Sequence, residues 1–415
     1  MDNNRFNYST GEELVDHAKQ LGRELPWSSD PSVLFESWNL GDKKVGNRFV
    51  IHPMEGFDSK PDGTPSELTL RRYKRFAEGG SGLIWIEALS VSADGRSNPL
   101  QLYMNKANYQ EFSRIPELLK SSGNVAGGAK GEPLSIIQLT HSGKYSNPTK
   151  PAGLYTDDEL KRIRDEHVEA AIRSEKVGFD AVDIKICHGY LTHELLSSIE
   201  RENSIYGGQV LENRIRLVGE IVEGIEQTCR IIKTVRLNVF DGFDGGFGGT
   251  DHNPLIPKLN EAREIIQSPL FKNIELWSIT AGVPYINPWV TRPFDKPAKN
   301  GMESPEHPLL GALRMIELSK EMKMVTDKPI VGAGLSWFRQ FYPMVSAGIV
   351  KDEIADAVGI GRMAFAYPDM PRDLYTQSQI DKKKVCVTCS GCTSRMREGL
   401  ATGCIIRDRE VYAKN

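Results

Sequence analysis

The sequence predicts an α/β fold: a closed (β/α)8 TIM barrel with an N-terminal arm and a short C-terminal cysteine-rich extension. Three observations carry that expectation. Short apolar, β-prone runs recur eight times, at Arg48–His52, Gly82–Ala88, Leu134–Leu139, Ala181–Ile186, Val235–Val239, Ile274–Ile279, Ile330–Ala333 and Ala357–Ile360. Helical patterns separate them, and strands that alternate with helices make a parallel sheet. The eight units occupy about 330 residues, which suits a closed barrel better than an open sheet.

Taken in order, residues 1–40 carry Pro26, Pro31 and scattered acids without sustained periodicity, and read as an arm leading into the first strand. A helix runs from Leu68 to Phe76 and is closed by Gly79 and Gly80. Thr156-Asp-Asp-Glu159 is a capping box opening a helix whose Leu160, Ile163, His167, Ala170 and Ala171 share one face, with Gly178 at its end. Leu211, Ile215, Val218, Val222 and Ile225 make another such stripe. These stripes are core-facing. There is no internal repeat, heptad run or low-complexity segment. The divisions expected are an arm at 1–40, a barrel at 41–375 and an extension at 376–415.

Composition bounds the function. With 39% apolar and 26% charged residues and a net charge of −3, nothing draws the chain to nucleic acid or to an anionic membrane. No apolar run approaches the length of a membrane span, and the polar, acidic N-terminus MDNNRFNYSTGEE is unlike a secretory signal, so a cytoplasmic protein is expected.

Barrel active sites lie at the C-terminal ends of the strands. The fourth strand ends by delivering Lys185, His188 and Tyr190, three side chains that handle protons. Arg236 lies within the fifth strand among apolar neighbours, where a cation is costly unless it meets an anion; a structural ion pair with a core acid is the alternative reading. The last two strands end in Val331-Gly-Ala-Gly-Leu-Ser336 and Val358-Gly-Ile-Gly-Arg-Met363, where glycine backbone can approach a phosphate and Arg362 can neutralise it. Gly359 to Ala364 also fits G-x-G-x-x-A, but it closes the series instead of opening a βαβ unit and lacks the supporting acid, so a mononucleotide-type phosphate site is the better reading. Gly242 to Gly249 holds five glycines without a Gly-Lys-Ser/Thr ending; it reads as a mobile loop or lid, not a P-loop.

Several segments together, NRFVIHPMEG, GLIWIEALSVSADGR, IIQLTHSGKYSNP, VDIKICHGYLTHELL, YGG…ENR and GIGR, resemble in this order the Old Yellow Enzyme family of FMN-dependent oxidoreductases, over about residues 45 to 370. The resemblance implies a (β/α)8 barrel that holds FMN without a covalent bond, takes hydride from NADH or NADPH, and reduces activated C=C bonds of α,β-unsaturated carbonyl or related electron-poor small molecules. It implies that Pro53, Met54, Glu55 and Ala88 line the flavin, that Gln138 hydrogen-bonds the ring, and that Arg236 stands by its N1–O2 edge. Gly334, Gly361 and Arg362 would hold the phosphate. Lys185 and His188 would bind the substrate's withdrawing group, and Tyr190 would donate the proton. Two positions depart from the family pattern: Lys185 stands where a neutral residue is usual, and Glu55 where Thr or Cys is. A Lys185–Glu55 pair across the flavin is therefore expected. No function is carried onto Tyr206 to Arg214, whose spacing is one residue longer than usual.

Six cysteines are present, and four of them crowd the C-terminus as Cys386-x2-Cys389-x2-Cys392-x11-Cys404. Four such thiolates suit a 4Fe–4S cluster or zinc. The motif is similar to that of the family's dienoyl-CoA reductase and trimethylamine dehydrogenase relatives. A cluster here would serve a separate redox partner protein or a structural role; the third reading is a relic with free thiols. Two further functional readings stay open: a flavin/iron–sulfur electron-transfer component, and an amine or methyl-aromatic dehydrogenase or demethylase. A homo-oligomer is also compatible.

Overall fold

A computed structural model describes residues 5–123, 131–250, 253 and 255–413. Among the described residues ten strands form: β1 (Trp38–Leu40), β2 (Lys43–Val45), β3 (Phe49–Ile51), β4 (Leu83–Ser90), β5 (Leu134–Thr140), β6 (Ala181–Ile186), β7 (Ile232–Asn238), β8 (Leu276–Thr280), β9 (Ile330–Gly332) and β10 (Ala357–Ile360). The hairpin β1–β2 stands apart, and β3 to β10 close into a barrel of parallel strands in chain order, β10 pairing with β3. All eight expected strands are present: Ala181–Ile186 and Ala357–Ile360 have the expected bounds, and the ends of the others lie within three residues of them.

Strand parity decides what the barrel holds, because alternate side chains face opposite sides. Val50, Leu83, Trp85, Ile136, Ala181, Ile232, Leu276, Val331 and Ala357 meet in one apolar cluster inside the barrel's lower end, and Trp38, Leu40 and Val45 of the hairpin plug it. Two residues further along the same faces come Gln138, Asp183 and Thr234, and then Lys185 and Arg236. The interior thus turns from apolar to polar to charged toward the C-terminal ends. The intervening residues, among them Ile137, Leu139, Val182, Ile184, Val235 and Leu237, face outward into a second, larger core shared with the helices.

The helices are α1 (Gly11–Gln20), α2 (Glu67–Glu78), α3 (Arg114–Gly123), α4 (Asp157–Lys176), α5 (Leu191–Leu196), α6 (Leu211–Thr228), α7 (Asn260–Gln267), α8 (Pro288–Thr291), α9 (Pro308–Lys323), α10 (Tyr342–Lys351), α11 (Arg362–Ala366), α12 (Met370–Gln377), α13 (Gly391–Arg397) and α14 (Arg409–Tyr412). The capping box of α4 forms as read, Thr156 accepting from Glu159 N and Glu159 from Thr156 N. The arm needs correction. It contains α1, which has its own Thr10–Glu13 capping box and buries only Leu14 and Ala18. Ahead of α1, Phe6 and Tyr8 meet the Trp337 ring edge-on at 5.2 and 6.0 Å, so the arm is docked on the barrel.

A bulge in β4 shifts its register against β5 between Ile86 and Ala88. The extra residue, Glu87, leaves the inward row, as bulges re-aim side chains. Its carboxylate meets Arg72 and Tyr73 of α2 and accepts the backbone N–H of Gly56 at 2.6 Å. Arg72 also pairs with Asp58, so a buried network fixes the segment that follows β3.

Candidate functional site

A cavity of about 1040 Å³ opens at the C-terminal ends of the strands. The segment after β3 contributes His52, Pro53, Met54 and Glu55; β6 and its turn contribute Lys185, His188 and Tyr190; β7 contributes Arg236. From the last two turns come Gly334, Ser336, Gly361 and Arg362. Ten of the twelve flavin- and substrate-site residues expected from the sequence therefore share one space. Ala88 and Gln138 do not line it: Ala88 is buried beside the bulge, and Gln138 Nε2 donates to Asp183 Oδ2 at 2.6 Å beneath it.

One wall gathers side chains able to exchange protons. Glu55 Oε1 accepts from Lys185 Nζ at 3.1 Å and from Tyr190 Oη at 2.7 Å, which is the pair expected between positions 55 and 185 with the tyrosine added. Lys185 Nζ also lies 3.5 Å from the centre of the Tyr190 ring, a cation–π contact. Burial, and then the Glu55 carboxylate, hold the Tyr190 hydroxyl well above its usual pKa, so it is protonated at neutral pH. His188 has a φ of 63°, a left-handed backbone uncommon outside glycine, and such conformations gather at functional sites. Burial, followed by Arg236 and Lys185, keeps its imidazole far below the usual range, hence neutral.

Three arginines share the cavity: Arg236 is paired in register with Lys185 on the neighbouring strand, while Arg292 and Arg362 adjoin each other, and among the described residues none of the three forms a salt bridge. Arg236 Nε, both terminal nitrogens of Arg292 and Nη1 of Arg362 are buried with no hydrogen-bond partner. Burial, and then the neighbouring Arg362, lower the Arg292 pKa, as expected of two guanidiniums waiting for an anion. Arg292 was missed in the sequence. Its signal was an Arg in Thr-Arg-Pro-Phe after the sixth barrel strand, and nothing in that spacing says which way the side chain turns.

The cysteine-rich extension completes the cavity. Cys392, Thr393, Met396 and Thr402 line it, and Thr402 N donates to Gly56 O at 2.7 Å. Cys386, Cys389, Cys392 and Cys404 share an adjoining cavity of about 370 Å³, with Arg362 and Phe365 in the dividing wall. Among the described residues no three His, Cys, Asp or Glu side chains close on a single metal-ion position. All four thiols are free, and Thr388 and Ser390 beside Cys389 have φ of 50° and 56°.

The glycine-rich segment read as a lid lies elsewhere. Its turn is pinned by Asp241, which accepts Phe247 N at 2.8 Å, and none of residues 242–249 lines the main cavity; residues 251, 252 and 254 lie outside the described residues. Among the described residues no helix is long and apolar enough to cross a membrane.

A family model described as NADH:flavin oxidoreductase / NADH oxidase matches residues 135–381. An NADPH dehydrogenase of Bacillus velezensis is 30% identical over 227 residues, covering 53% of this chain and 67% of that protein. A 2-naphthoyl-CoA reductase, solved with 2-naphthoyl-CoA, is similar with a TM-score of 0.74 at 19% identity over 92% of this chain; the chain spans 57% of that protein's length. An old yellow enzyme homologue from Zymomonas mobilis gives a TM-score of 0.60 at 22% identity, covering 84% of this chain and 94% of its own. At these identities the two structures support the barrel fold.

Proposed function

The chain belongs to the NADH:flavin oxidoreductase / NADH oxidase family, and from that premise we propose that it is an NAD(P)H-dependent FMN enzyme reducing the activated C=C bond of α,β-unsaturated carbonyl or related electron-poor small molecules. The observation that carries the reading is the division of one cavity into an anion-binding end and a proton-handling wall.

The residues present fit FMN. Arg292 and Arg362, adjoining guanidiniums with buried nitrogens that lack hydrogen-bond partners, call for a multiply charged anion, and a phosphate monoester supplies one. Arg362 with the backbone of Gly334 and Gly361 would hold that phosphate, Arg236 would face the pyrimidine edge, and Pro53 and Met54 would line the ring. Bound there, FMN supplies hydride exchange between NAD(P)H and an electron-poor carbon.

The protein's own part is to orient and polarise. Lys185 and neutral His188 reach into the space where a carbonyl oxygen gains negative charge, and fixed donors in a buried site stabilise that charge. Tyr190 supplies the proton to the α-carbon. Ala88 and Gln138 support the wall from behind, Gln138 through its bond to Asp183.

We extend the reading to the extension: Cys386, Cys389, Cys392 and Cys404, which share one small cavity, would supply the four thiolates for a 4Fe–4S cluster, and such a cluster would supply one-electron exchange with a partner protein. Two experiments test the whole. NADPH and NADH oxidation by the anaerobically purified protein should accelerate on adding 2-cyclohexenone and yield cyclohexanone; oxidation indifferent to the enone would refute ene reduction. Iron and acid-labile sulfide should be present in equal amounts, and finding neither would remove the cluster.

A further inference from the structure

We propose that Glu55 and Lys185 form a proton relay behind Tyr190, Glu55 Oε1 handing the Lys185 proton to Tyr190 after Tyr190 has protonated the substrate. The relay rests on the reading that Tyr190 is the proton donor, and it assigns Glu55, at a position where the family pattern has Thr or Cys, a catalytic role.

One oxygen makes both contacts: Oε1 is 2.7 Å from Tyr190 Oη and 3.1 Å from Lys185 Nζ. All three groups line the cavity. The carboxylate is mounted on fixed backbone, since Gly56 N donates to Glu87 at 2.6 Å and Gly56 O accepts Thr402 N at 2.7 Å. A Glu and a Lys that served only as a structural ion pair would not need the reacting phenol as a third member on the same oxygen.

The chemistry requires a return path. Hydride addition to the β-carbon, with NAD(P)H as reductant, leaves an electron pair shared by the α-carbon and the carbonyl oxygen. The α-C–H bond forms as the Tyr190 O–H bond breaks, which leaves a phenolate beside a carboxylate in a buried site. Two anions at that distance repel strongly, so the phenolate must be reprotonated before the next turnover. The relay removes the difficulty: Oε1 takes a proton from Nζ and passes one to the phenolate. Tyr190 is restored, Glu55 is a carboxylate again, and Lys185 is left as a neutral amine that regains its proton from solvent between turnovers. One hydride and one proton have then been added across the C=C bond.

A rival route exists through Tyr285, which neighbours Tyr190, is 40% exposed, and lines both the cavity and an outer cleft of about 1000 Å³. The test must separate the two. Holoenzyme carrying Glu55→Gln, Lys185→Met or Tyr285→Phe is assayed with 2-cyclohexenone and with 1-nitrocyclohexene. Reduction of the nitroalkene gives a nitronate, an anion stable enough to leave without a proton from the protein. Glu55→Gln, which keeps the acceptor but cannot carry a proton, should lower enone turnover by about a hundredfold. Its loss with the nitroalkene should be at least tenfold smaller, as a rough bound, with free nitronate as the released product. Lys185→Met also removes a donor to the withdrawing group, so it should lower turnover of both substrates and of the enone the more; should it not fold, Glu55→Gln alone decides. Equal losses with both substrates would make Glu55 a positioning residue and overturn the relay. An enone-selective loss confined to Tyr285→Phe would overturn it in favour of the outer route. A wild-type enzyme that reduces neither substrate would refute the reaction itself, and the relay with it.

Discussion

Asp183 lies on the inward face of β6, two residues below Lys185, fully buried among Gln138, Thr234 and the underside of Arg236. Burial lifts its carboxyl from 3.8 to about 7, against the opposing pull of Gln138 and Arg236. In the unfolded chain it ionises near its usual value, so between roughly pH 4 and pH 7 the folded state holds a proton that the unfolded state has lost. The contribution to stability is complete below that window, falls as pH rises through it, and is gone above about 7. Asp183→Asn keeps the shape and removes the titration. Urea unfolding of the wild type should show stability falling by on the order of 3 kcal/mol between pH 4.5 and pH 8 from this group, and the variant should lack that part of the decline. Parallel pH profiles for the two proteins would mean that Asp183 is ionised throughout.

At the scale of elements, the segment after β3 is where a single methyl group does the most. An added Cβ on Gly56 would lie 2.1–2.4 Å from the Arg72 guanidinium. Arginine heads usually yield, but this one is held on both sides by Asp58 and Glu87. Gly56→Ala should therefore push the segment instead, cost about 2 kcal/mol as overpacked sites do, and displace Glu55 from Lys185 and Tyr190. Chemical unfolding and FMN titration of the apoprotein would both register it; unchanged FMN affinity would show that the segment has slack. None of this network was legible in the sequence, because Asp58, Arg72 and Glu87 come from three separate elements and meet only through a bulge. Strand parity, by contrast, was legible: Ala181, Asp183 and Lys185 alternate with Val182, Ile184 and Ile186, which places Lys185 inside as surely as it places Ile184 outside. The α1 helix was missed for a different reason. It buries only Leu14 and Ala18, too few for a periodic stripe, although its Thr10–Glu13 capping box was in plain view.

At the scale of the whole molecule, the cysteine-rich extension and the barrel line one cavity, and a few bonds tie them together. Asp408 accepts from Arg71 at 2.8 Å and from Arg75 at 2.5 Å, both on α2, the helix whose Arg72 anchors the segment after β3. Between that clamp and α13 runs the stretch carrying Thr402, whose N–H is bonded to Gly56 O and whose side chain lines the cavity. Asp408→Ala would leave two guanidiniums facing each other without their shared acid and would free the stretch between α13 and Asp408. Limited proteolysis should then cut near the exposed Leu400 faster than in the wild type. Because Met396 and Thr402 form part of the cavity wall, the FMN dissociation constant should rise by about tenfold, equivalent to ~1.4 kcal/mol. If cutting accelerated while FMN affinity held, the extension would be a neighbour of the cavity and not a part of it. If both moved together, what happens at the four cysteines and what happens over the flavin would be mechanically joined through α2.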